Sequence, residues 1–529
     1  MTDDAFGEDP QRLPLFATAA GPNGHTRPGR IRSTFRLAEP AAKASEPADK
    51  APEPVEPRRV SLPASLLTAD ELPVSLLPKV RSGGLDWARV ARLRSEASTA
   101  LTEALGEHPA MGRTEQEELG RSIIERLLDG EDADTVVQRG QARTLAERRQ
   151  LAEATFDALF RLGRLQPLLD DPEVENVMIT GFDRVVVERA DGTLVEAEPV
   201  ADSDEELLDF LSFLAARADN PRPFSASQPS LHLRLEDGSR LAAARDTARP
   251  SVVVRRHRVR RVTLADLVEW GTLSPLMAGF LSAAVKARRS IVVSGGQGDG
   301  KTTLVRALCA EIDPWEVIGT FETEHELFLH ELSEQHRIVH AWEERPGSGE
   351  HATAGRSSGE RRTPEQVIDS FRFTLSRQIL GEIRGPEVWS MIKLMESGAG
   401  SLSTTHAADA YSTMRKLITC AMEAGPHVTM ELAATKLADT IDFIVQLTCE
   451  IIATPLGRRK VRRVAEILAV EPGEENKRYS LTSIFRAVPG QVGVADTPPP
   501  GRVLDQLIAH GFDYTAFLAE ADAQPRRQP

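Results

Sequence analysis

Three observations indicate that this sequence folds as an α/β protein of several parts. The chain has 529 residues, which is too many for one ordinary hydrophobic core, so two or three globular units are expected. Its composition and hydrophobic periodicity change along the chain, from a proline-rich segment to a helical pattern and then to a mixture of strand and helix patterns. A glycine-rich loop, GGQGDGKT, separates a short apolar run from a helical run, an order that is typical of α/β nucleotide-binding domains.

The chain is predicted to begin with two parts outside the α/β units. Residues 1–84 are rich in Pro, Ala, Glu and Arg and lack a sustained helical or strand period, which predicts a disordered extension. Residues 85–161 carry apolar residues at helical spacing, as in LGRSIIERLLDG, and therefore predict a helical segment.

Residues 162–261 predict a smaller α/β domain. The run RVVVERADGTLVEAEPV predicts two short strands with a turn at Asp191-Gly192. DEELLDFLSFLAARA predicts a helix, and further strands are predicted at LHLRLEDGSRLAAA and SVVVRRH. Residues 262–490 predict a second and larger domain, with a surface loop in the Gly/Ser/Arg-rich segment 346–362. The tail, 491–529, contains one possible short helix at 504–519.

Charge and cysteine content exclude several classes of function. Lys and Arg number 64 against 79 Asp and Glu, and the formal net charge of -15 disfavours direct nucleic-acid binding. Three separated cysteines support neither a disulfide framework nor a zinc site, so a cytoplasmic location is expected. The N-terminus is acidic where a signal peptide would be basic, and no apolar run approaches the ~18 to 20 residues that span a bilayer. Membrane association is therefore predicted to be peripheral.

The glycine-rich loop matches the phosphate-binding pattern GxxxxGK[ST], and the strand before it and the helix after it are what the pattern requires. Backbone N–H groups and the helix N-terminus would surround the phosphates of ATP, Lys301 would reach the β- and γ-oxygens, and Thr302 would ligate Mg²⁺. The alternative is an accidental glycine-rich turn. The predicted nucleotide-binding residues are Gly295, Gly296, Gln297, Gly298, Asp299, Gly300, Lys301, Thr302 and Thr303.

Acidic residues downstream are candidates for catalysis. Glu382 ends the short apolar strand QILGE, where it could position the attacking water or hold Mg²⁺ through water. A solvated acid paired with Arg384 is the alternative. Glu322, Glu324 and Glu326 follow another strand-like run and could position metal or water, or could be an ordinary acidic surface.

A histidine and an arginine cluster complete the candidate site. His406 ends the Ser/Thr-rich run GSLSTTH, where it could sense the γ-phosphate; a purely structural histidine is the alternative. In a ring of subunits, the basic cluster between the two predicted α/β units could supply arginines to the nucleotide of a neighbouring subunit, or it could be a solvated face. Its members are Arg255, Arg256, Arg258, Arg260 and Arg261.

The order of these motifs resembles one family, the type II/type IV secretion superfamily ATPases, and in particular the tight-adherence (Flp) pilus assembly ATPases of the CpaF type. The resemblance spans about residues 165–487 and is carried by LQPLLDDPEVENVMITGFDRVVVER, DGSRL, ILGEIRG, GSLSTTHA and IDFIVQL, together with the phosphate loop. It implies a RecA-like P-loop NTPase domain preceded by a smaller α/β N-terminal domain, with ATP between them and a hexameric ring.

The resemblance also assigns roles to single residues. Lys301 and Thr302 fall on the phosphate-loop lysine and the Mg²⁺ ligand, and Glu382 falls on the acid of the Walker B strand. Further matches are Glu322 and Glu326 in the Asp box, His406 in the histidine box, Arg255 and Arg256 at the hinge, and Arg372 and Arg377 before the Walker B strand.

Four segments depart from the family pattern. The Asp box usually reads Glu-Asp-Thr and here reads Glu-Thr-Glu from Glu322, and an acid of the N-terminal domain is replaced by His232. The Gly-His-Asp/Glu-Gly before the histidine box is shortened to Gly-Ala-Gly at 398–400, and Arg-Pro-Asp becomes Thr-Leu-Ser at 374–376. Because Lys301, Thr302, Glu322 and Glu382 remain, an active ATPase is expected.

The prediction is therefore a cytoplasmic, homo-hexameric ATPase that binds ATP and Mg²⁺ and powers pilus assembly or secretion through an inner-membrane platform protein. A partner must provide its peripheral contact with the membrane. Two alternatives stay open: a non-catalytic, nucleotide-responsive ring subunit that regulates a secretion machine, and a conjugation or DNA-translocating motor, which the acidic balance disfavours.

Overall fold

The structure is a computed structural model. It describes residues 79–80, 85–107, 111–139, 143–217, 223–256, 261–345, 348–353, 356–358, 361–455, 457–473 and 478–524. The chain divides into two compact units, 1–67 and 68–529, and the first lies outside the described residues. Apart from a two-residue strand, β1 (Lys79–Val80), the predicted disordered extension also lies outside them.

The helical segment forms three helices around a core of their own. They are α1 (Trp87–Glu107), α2 (Arg113–Arg139) and α3 (Leu145–Phe160). Their apolar spacing buries a cluster that includes Leu93, Ile124 and Leu128. α3 begins at a capping box in which the Thr144 side chain and the Glu147 carboxylate each accept a hydrogen bond from the other residue's backbone N–H.

An antiparallel sheet follows, which we call the N-terminal sheet. Its elements are α4 (Gln166–Asp170), β2 (Val174–Thr180), β3 (Arg184–Arg189), β4 (Thr193–Ala197), α5 (Asp204–Arg217), β5 (Ser230–Arg234), β6 (Arg240–Ala244) and β7 (Ser251–Arg255). The strand order is β4-β3-β2-β7-β6-β5, and α5 packs Leu207 and Leu211 against one face. The turn predicted at Asp191-Gly192 joins β3 to β4, with Gly192 at a φ of 84°.

The larger part begins with the elements around the glycine-rich loop. These are α6 (Leu264–Glu269), α7 (Pro275–Lys286), β8 (Ile291–Gly295), α8 (Lys301–Cys309), β9 (Val317–Glu322), β10 (Ile338–Glu343), β11 (Ser348–Thr353), β12 (Arg356–Ser358), α9 (Thr363–Ser370), β13 (Arg377–Ile383), α10 (Val388–Glu396) and β14 (Ser401–His406). β11 and β12 form a separate antiparallel pair where the sequence predicts a surface loop.

The remaining elements are α11 (Ala410–Met422), α12 (Met430–Thr440), β15 (Phe443–Thr454), β16 (Gly457–Pro472), β17 (Tyr479–Arg486), β18 (Val494–Ala495), α13 (Gly501–Ala509) and α14 (Tyr514–Ala523). The tail thus has two helices where one was predicted at 504–519. Gly511, at a φ of 96°, separates them, and Leu507 and Phe517 pack them onto the core.

Six strands form a parallel sheet in the order β10-β9-β13-β14-β8-β15, with helices on both faces. Strand β8, which lies between β14 and β15, is buried throughout, as its run Ile-Val-Val predicts. One apolar core includes Phe280 and Phe443, and a second includes Met391 and Leu417. The α/β fold class predicted from the sequence is confirmed.

The two sheets are continuous through one long strand. β16 pairs antiparallel with β15 on one side and, near its start, with β4 of the N-terminal sheet, where Arg458 and Arg459 lie opposite Leu194 and Thr193. In all, sixteen strands of the described residues form a single sheet. The described part of the chain contains no helix with both the length and the apolar character needed to cross a bilayer.

Candidate active site

The glycine-rich loop joins β8 to α8 and forms a cradle of backbone N–H groups. Gly298 and Gly300 have φ angles of 81° and 92°, a conformation that residues with a Cβ rarely adopt. Among the described residues, no acceptor is bonded to the N–H groups of Gly298, Gly300 or Lys301. Because these groups lie at the N-terminus of a helix, the cradle fits the phosphates of a nucleotide.

Asp299 occupies one amide of this cradle. Its Oδ2 accepts a hydrogen bond of 2.5 Å from the Gly296 N–H. The pattern GxxxxGK[ST] permits any residue at this position, so sequence analysis gave Asp299 no role beyond membership of the loop. The structure instead gives the carboxylate a hydrogen bond from the backbone of the loop itself.

The structure brings three of the predicted site residues, Lys301, His406 and Glu382, together in a chain of contacts. Lys301 Nζ donates to Gly296 O at 2.8 Å and lies 3.0 Å from His406 Nδ1. On the other side of the ring, His406 Nε2 lies 2.9 Å from Glu382 Oε1. The second oxygen of Glu382 accepts a 2.6 Å hydrogen bond from Arg384.

The contacts bear on the protonation state of His406. Since the ammonium of Lys301 can only donate, a hydrogen bond between the two groups requires His406 Nδ1 to be the acceptor. Burial, followed by the nearby charge of Lys301, lowers the pKa of His406, so the neutral ring is favoured. Burial also lowers the pKa of Lys301.

Glu382 keeps one oxygen available for chemistry. Oε1 is buried and has no aligned hydrogen-bond donor among the described residues, although His406 Nε2 is close to it. A buried carboxylate oxygen without a donor has capacity for a water molecule. The alternative predicted from the sequence, a solvated acid paired only with Arg384, does not describe this arrangement.

The three acids after β9 have different surroundings. Glu322 is buried, and its Oε1 accepts hydrogen bonds of 2.9 Å from the backbone N–H groups of Glu326 and Leu327, which shapes the loop. Glu326 Oε2 accepts a 3.1 Å hydrogen bond from the Thr302 hydroxyl. Glu324 is exposed and pairs with Arg240 at 2.8 Å.

Hydroxyl and carboxylate oxygens are the ligands that Mg²⁺ prefers, so the Thr302 and Glu326 pair fits this ion. Thr302 and Glu382, the two metal ligands predicted from the sequence, have different partners in the structure. Thr302 contacts Glu326, whereas Glu382 contacts His406 and Arg384.

Arginines of the N-terminal sheet reach this acidic loop. Arg240 Nη1 lies 2.8 Å from Glu326 Oε1, and Arg255 Nη1 lies 3.9 Å from the same oxygen. Sequence analysis missed Arg240, although it lies within the segment DGSRL. Arg256 instead donates to the Asp171 carbonyl at 2.5 Å. Two other members of the predicted cluster, Arg258 and Arg260, lie outside the described residues.

The two arginines before Glu382 are far from equivalent. Arg377 is buried and holds Glu316 with both Nε and Nη2, at 2.9 and 3.0 Å. Arg372 is exposed, and its nearest acid, Asp369, is 3.8 Å away. Because removal of Arg377 would leave the carboxylate of Glu316 without its partner, Arg377 has a structural role at the start of β13.

A further residue missed by sequence analysis is Arg462 on β16. Its Nε donates a 3.0 Å hydrogen bond to the Gly298 carbonyl of the phosphate loop. In the structure, the Arg462 side chain also passes close to Gly300, where an added Cβ would lie 3.1 Å from Arg462 Cδ. The glycine is visible in the sequence, but its neighbour on β16 is not.

Comparisons with known proteins match this region. The model of the family described as type II/IV secretion system protein matches residues 230–511. The type IV secretion system protein VirB11 of Brucella suis biovar 1 (strain 1330) is 28% identical over 317 residues, which cover 54% of this chain and 84% of that protein. The conjugal transfer protein TrbB of Rhizobium radiobacter is 25% identical over 314 residues, covering 59% and 88%.

Among solved structures, the chain is similar to the VirB11 ATPase from the Brucella suis type IV secretion system in complex with sulphate. The identity is 26% and the TM-score is 0.28, and the match covers 58% of this chain and 94% of that one.

Proposed function

Since the chain belongs to the type II/IV secretion system protein family and is a P-loop ATPase, we propose that it is the hexameric motor of a pilus-assembly or secretion machine. The proposal includes the finer assignment to the tight-adherence (Flp) pilus assembly ATPases of the CpaF type. It also includes a division near residue 262 between a smaller N-terminal domain and the ATPase domain, a cytoplasmic location, and peripheral membrane association through an inner-membrane platform protein.

One observation carries the catalytic part of the proposal. The phosphate-loop lysine, Lys301, is joined through His406 to Glu382, whose Oε1 lacks an aligned donor. A regulatory or structural site must bind phosphate, but it does not require a carboxylate oxygen with an open hydrogen-bonding position beside the phosphate-binding loop. Glu382 is therefore the residue that orients and deprotonates the attacking water.

The other residues of the site divide the remaining work. Lys301 and the loop N–H groups hold the phosphates and offset their negative charge. Thr302 and Glu326 would hold Mg²⁺, which would neutralise charge that develops on the phosphates. Neutral His406 lies between Lys301 and Glu382, with one ring nitrogen close to each. Arg240 and Arg255 extend from the N-terminal sheet toward Glu326. A shift of Glu326 on nucleotide binding would therefore also move residues of the N-terminal sheet.

A non-catalytic ring subunit is the second candidate, and one contact favours it. Asp299 fills part of the phosphate cradle, so nucleotide must displace a carboxylate of the chain itself. Such a subunit would bind nucleotide and release no phosphate. A conjugation or DNA-translocating motor, which similarity to TrbB brings into consideration, would respond to DNA.

The test is phosphate release by the purified chain, with and without membrane lipids and with added DNA. We expect turnover in the wild type, no turnover in Lys301→Ala, and nucleotide binding without turnover in Glu382→Gln. Matched controls are Lys436→Ala and Glu396→Gln, an exposed ion pair of 2.7 Å between α12 and α10. Analytical ultracentrifugation of the wild type with ATP measures the number of subunits in the assembly, which we expect to be six.

Binding without turnover in the wild type would support the regulatory subunit, and stimulation of turnover by DNA would support the translocating motor. Full turnover in Glu382→Gln would refute the assignment of the water-activating acid.

A further inference from the structure

Arg462 touches the phosphate loop and the N-terminal sheet at the same time. Its Nε donates to Gly298 O at 3.0 Å, and its Nη2 donates to Glu188 Oε1 at 2.6 Å. The side chain passes beside Gly300, where an added Cβ would lie 3.1 Å from Arg462 Cδ. A planar guanidinium with donors at both ends can join two acceptors rigidly, whereas an ammonium is a single point charge.

Glu188, the acceptor on β3, is held firmly. It is only 1% exposed, and it also accepts hydrogen bonds from Lys460 Nζ at 2.7 Å and Asn176 Nδ2 at 3.0 Å. Burial alone would raise the pKa of Glu188, but the bonds from Lys460 and Arg462 outweigh it and the pKa is lowered. Its carboxylate is therefore ionised and fixed in place.

The backbone around Arg462, on β16, is hydrogen-bonded to the hairpin formed by β3 and β4, and β3 carries Glu188. β16 pairs with β4 at Arg458 and Arg459, and the Lys460 N–H donates to Gly192 O at 2.8 Å. An added Cβ at Gly192 would lie 2.3 Å from that part of β16, at Lys460 O. A displacement of the β3–β4 hairpin therefore displaces Glu188 and the base of the Arg462 side chain together.

We propose that Arg462 is a positioning residue that links the orientation of a phosphate-loop amide to the position of Glu188 in the N-terminal sheet. The Gly298 carbonyl belongs to the peptide that carries the Asp299 N–H. Because a trans peptide is planar, fixing the carbonyl directs that N–H to the opposite side, toward Gly296 O at 3.5 Å and the interior of the loop. Such a long contact is readily exchanged for a phosphate oxygen.

The inference rests on the proposed nucleotide site and adds a route by which the N-terminal sheet controls it. When Glu188 moves away, Arg462 releases or rotates the Gly298 peptide and the loop binds phosphate less well. By reciprocity, nucleotide in the loop favours the arrangement in which Glu188 and Arg462 are paired.

Lys460 provides a matched control, since it binds the same carboxylate as Arg462 but its ammonium makes no hydrogen bond to the phosphate loop among the described residues. The experiment measures equilibrium binding of a fluorescent ADP, which requires no hydrolysis, and thermal unfolding without nucleotide. We expect Arg462→Met to bind ADP about tenfold more weakly, the usual size for one lost charge-assisted hydrogen bond. Lys460→Met should bind ADP within about twofold of the wild type, with a similar loss of thermal stability.

Two conservative variants keep the test decisive if Arg462→Met does not fold. Arg462→Lys retains the charge opposite Glu188 but cannot reach both acceptors, so it should unfold like the wild type and still bind ADP weakly. Glu188→Gln should weaken ADP binding as well, and combining it with Arg462→Lys should add little, because both act through one link.

Equal ADP affinity in Arg462→Lys and the wild type would overturn the inference, as would equal weakening in Arg462→Met and Lys460→Met. These outcomes leave the proposed function intact if the wild type binds ADP and Lys301→Ala does not. Failure of the wild type to bind ADP would overturn both.

Discussion

Lys301 Nζ and His406 Nδ1 lie 3.0 Å apart, so the phosphate-loop lysine and the histidine of β14 are in direct contact. The opposite nitrogen of the same ring lies 2.9 Å from Glu382. A change at the phosphates that moves Lys301 therefore reaches the acid through one rigid ring. This arrangement explains why a histidine, with two nitrogens on opposite edges, lies at the end of β14.

Replacing His406 should affect turnover more than binding. In His406→Gln, we expect nucleotide affinity to stay within about threefold and turnover to fall at least about tenfold, because Glu382 loses the group that positions it. Fluorescent-nucleotide titration and phosphate release measure the two quantities, with the exposed His427→Gln as control. A tenfold loss of affinity with unchanged turnover would contradict this role.

The acid limb of the pH–rate profile should depend on His406. Burial and Lys301 lower the pKa of His406, so the neutral ring persists to more acidic pH than that of an ordinary histidine. Turnover should therefore hold through pH 6.5 and fall only at lower pH, where the ring gains a proton and can no longer accept from Lys301. In His406→Gln this limb should shift or disappear, whereas a wild-type decline already complete at pH 7 would contradict the assignment.

Removing the internal carboxylate of the phosphate loop should strengthen nucleotide binding. In Asp299→Ser, we expect ADP to bind about tenfold more tightly, because the Gly296 N–H is released and a negative charge leaves the cradle. The exposed Asp505→Ser serves as control for a lost surface charge. Unchanged or weaker ADP binding in Asp299→Ser would mean that the carboxylate does not compete with phosphate.

His336 should make the fold sensitive to acid. Burial lowers the pKa of His336 from 6.5 to about 4, and neither ring nitrogen has a partner among the described residues. Between these pH values the unfolded chain binds a proton that the folded chain does not, so stability falls as pH falls, by about 3 kcal/mol in total.

Urea unfolding at pH 7 and pH 4.5 measures this loss. We expect His336→Leu to lose less stability between the two pH values than the wild type or His427→Gln. An equal loss in all three proteins would show that other groups determine the acid sensitivity.

The parts of the site that could be predicted from the sequence depend on local order along the chain. The apolar run before Gly295 and the spacing to Lys301 predict the strand, the loop and the helix, since each is determined by neighbouring residues. The sequence also places Glu382 and His406 at the ends of strands, and β13 and β14 are adjacent parallel strands. The contacts that join Lys301, His406 and Glu382 were not predicted.

The parts that could not be predicted depend on which distant charges meet. Arg462 and Glu188 are 274 positions apart, and nothing in either neighbourhood identifies the partner. The contact of Asp299 with Gly296 depends on a side-chain rotamer, which a motif does not specify. The predicted disorder of residues 1–84 remains a prediction, since nearly all of that segment lies outside the described residues.

The backbone pairing between β16 and β4 has a consequence for attempts to dissect the protein. A fragment that begins at residue 262 would retain β16 but lose β4, and N–H and C=O groups near Arg458 and Arg459 would become an open edge. Uncovered edges of this kind favour self-association. A fragment that also keeps β4, and with β4 its partner β1, leaves this edge of β16 covered.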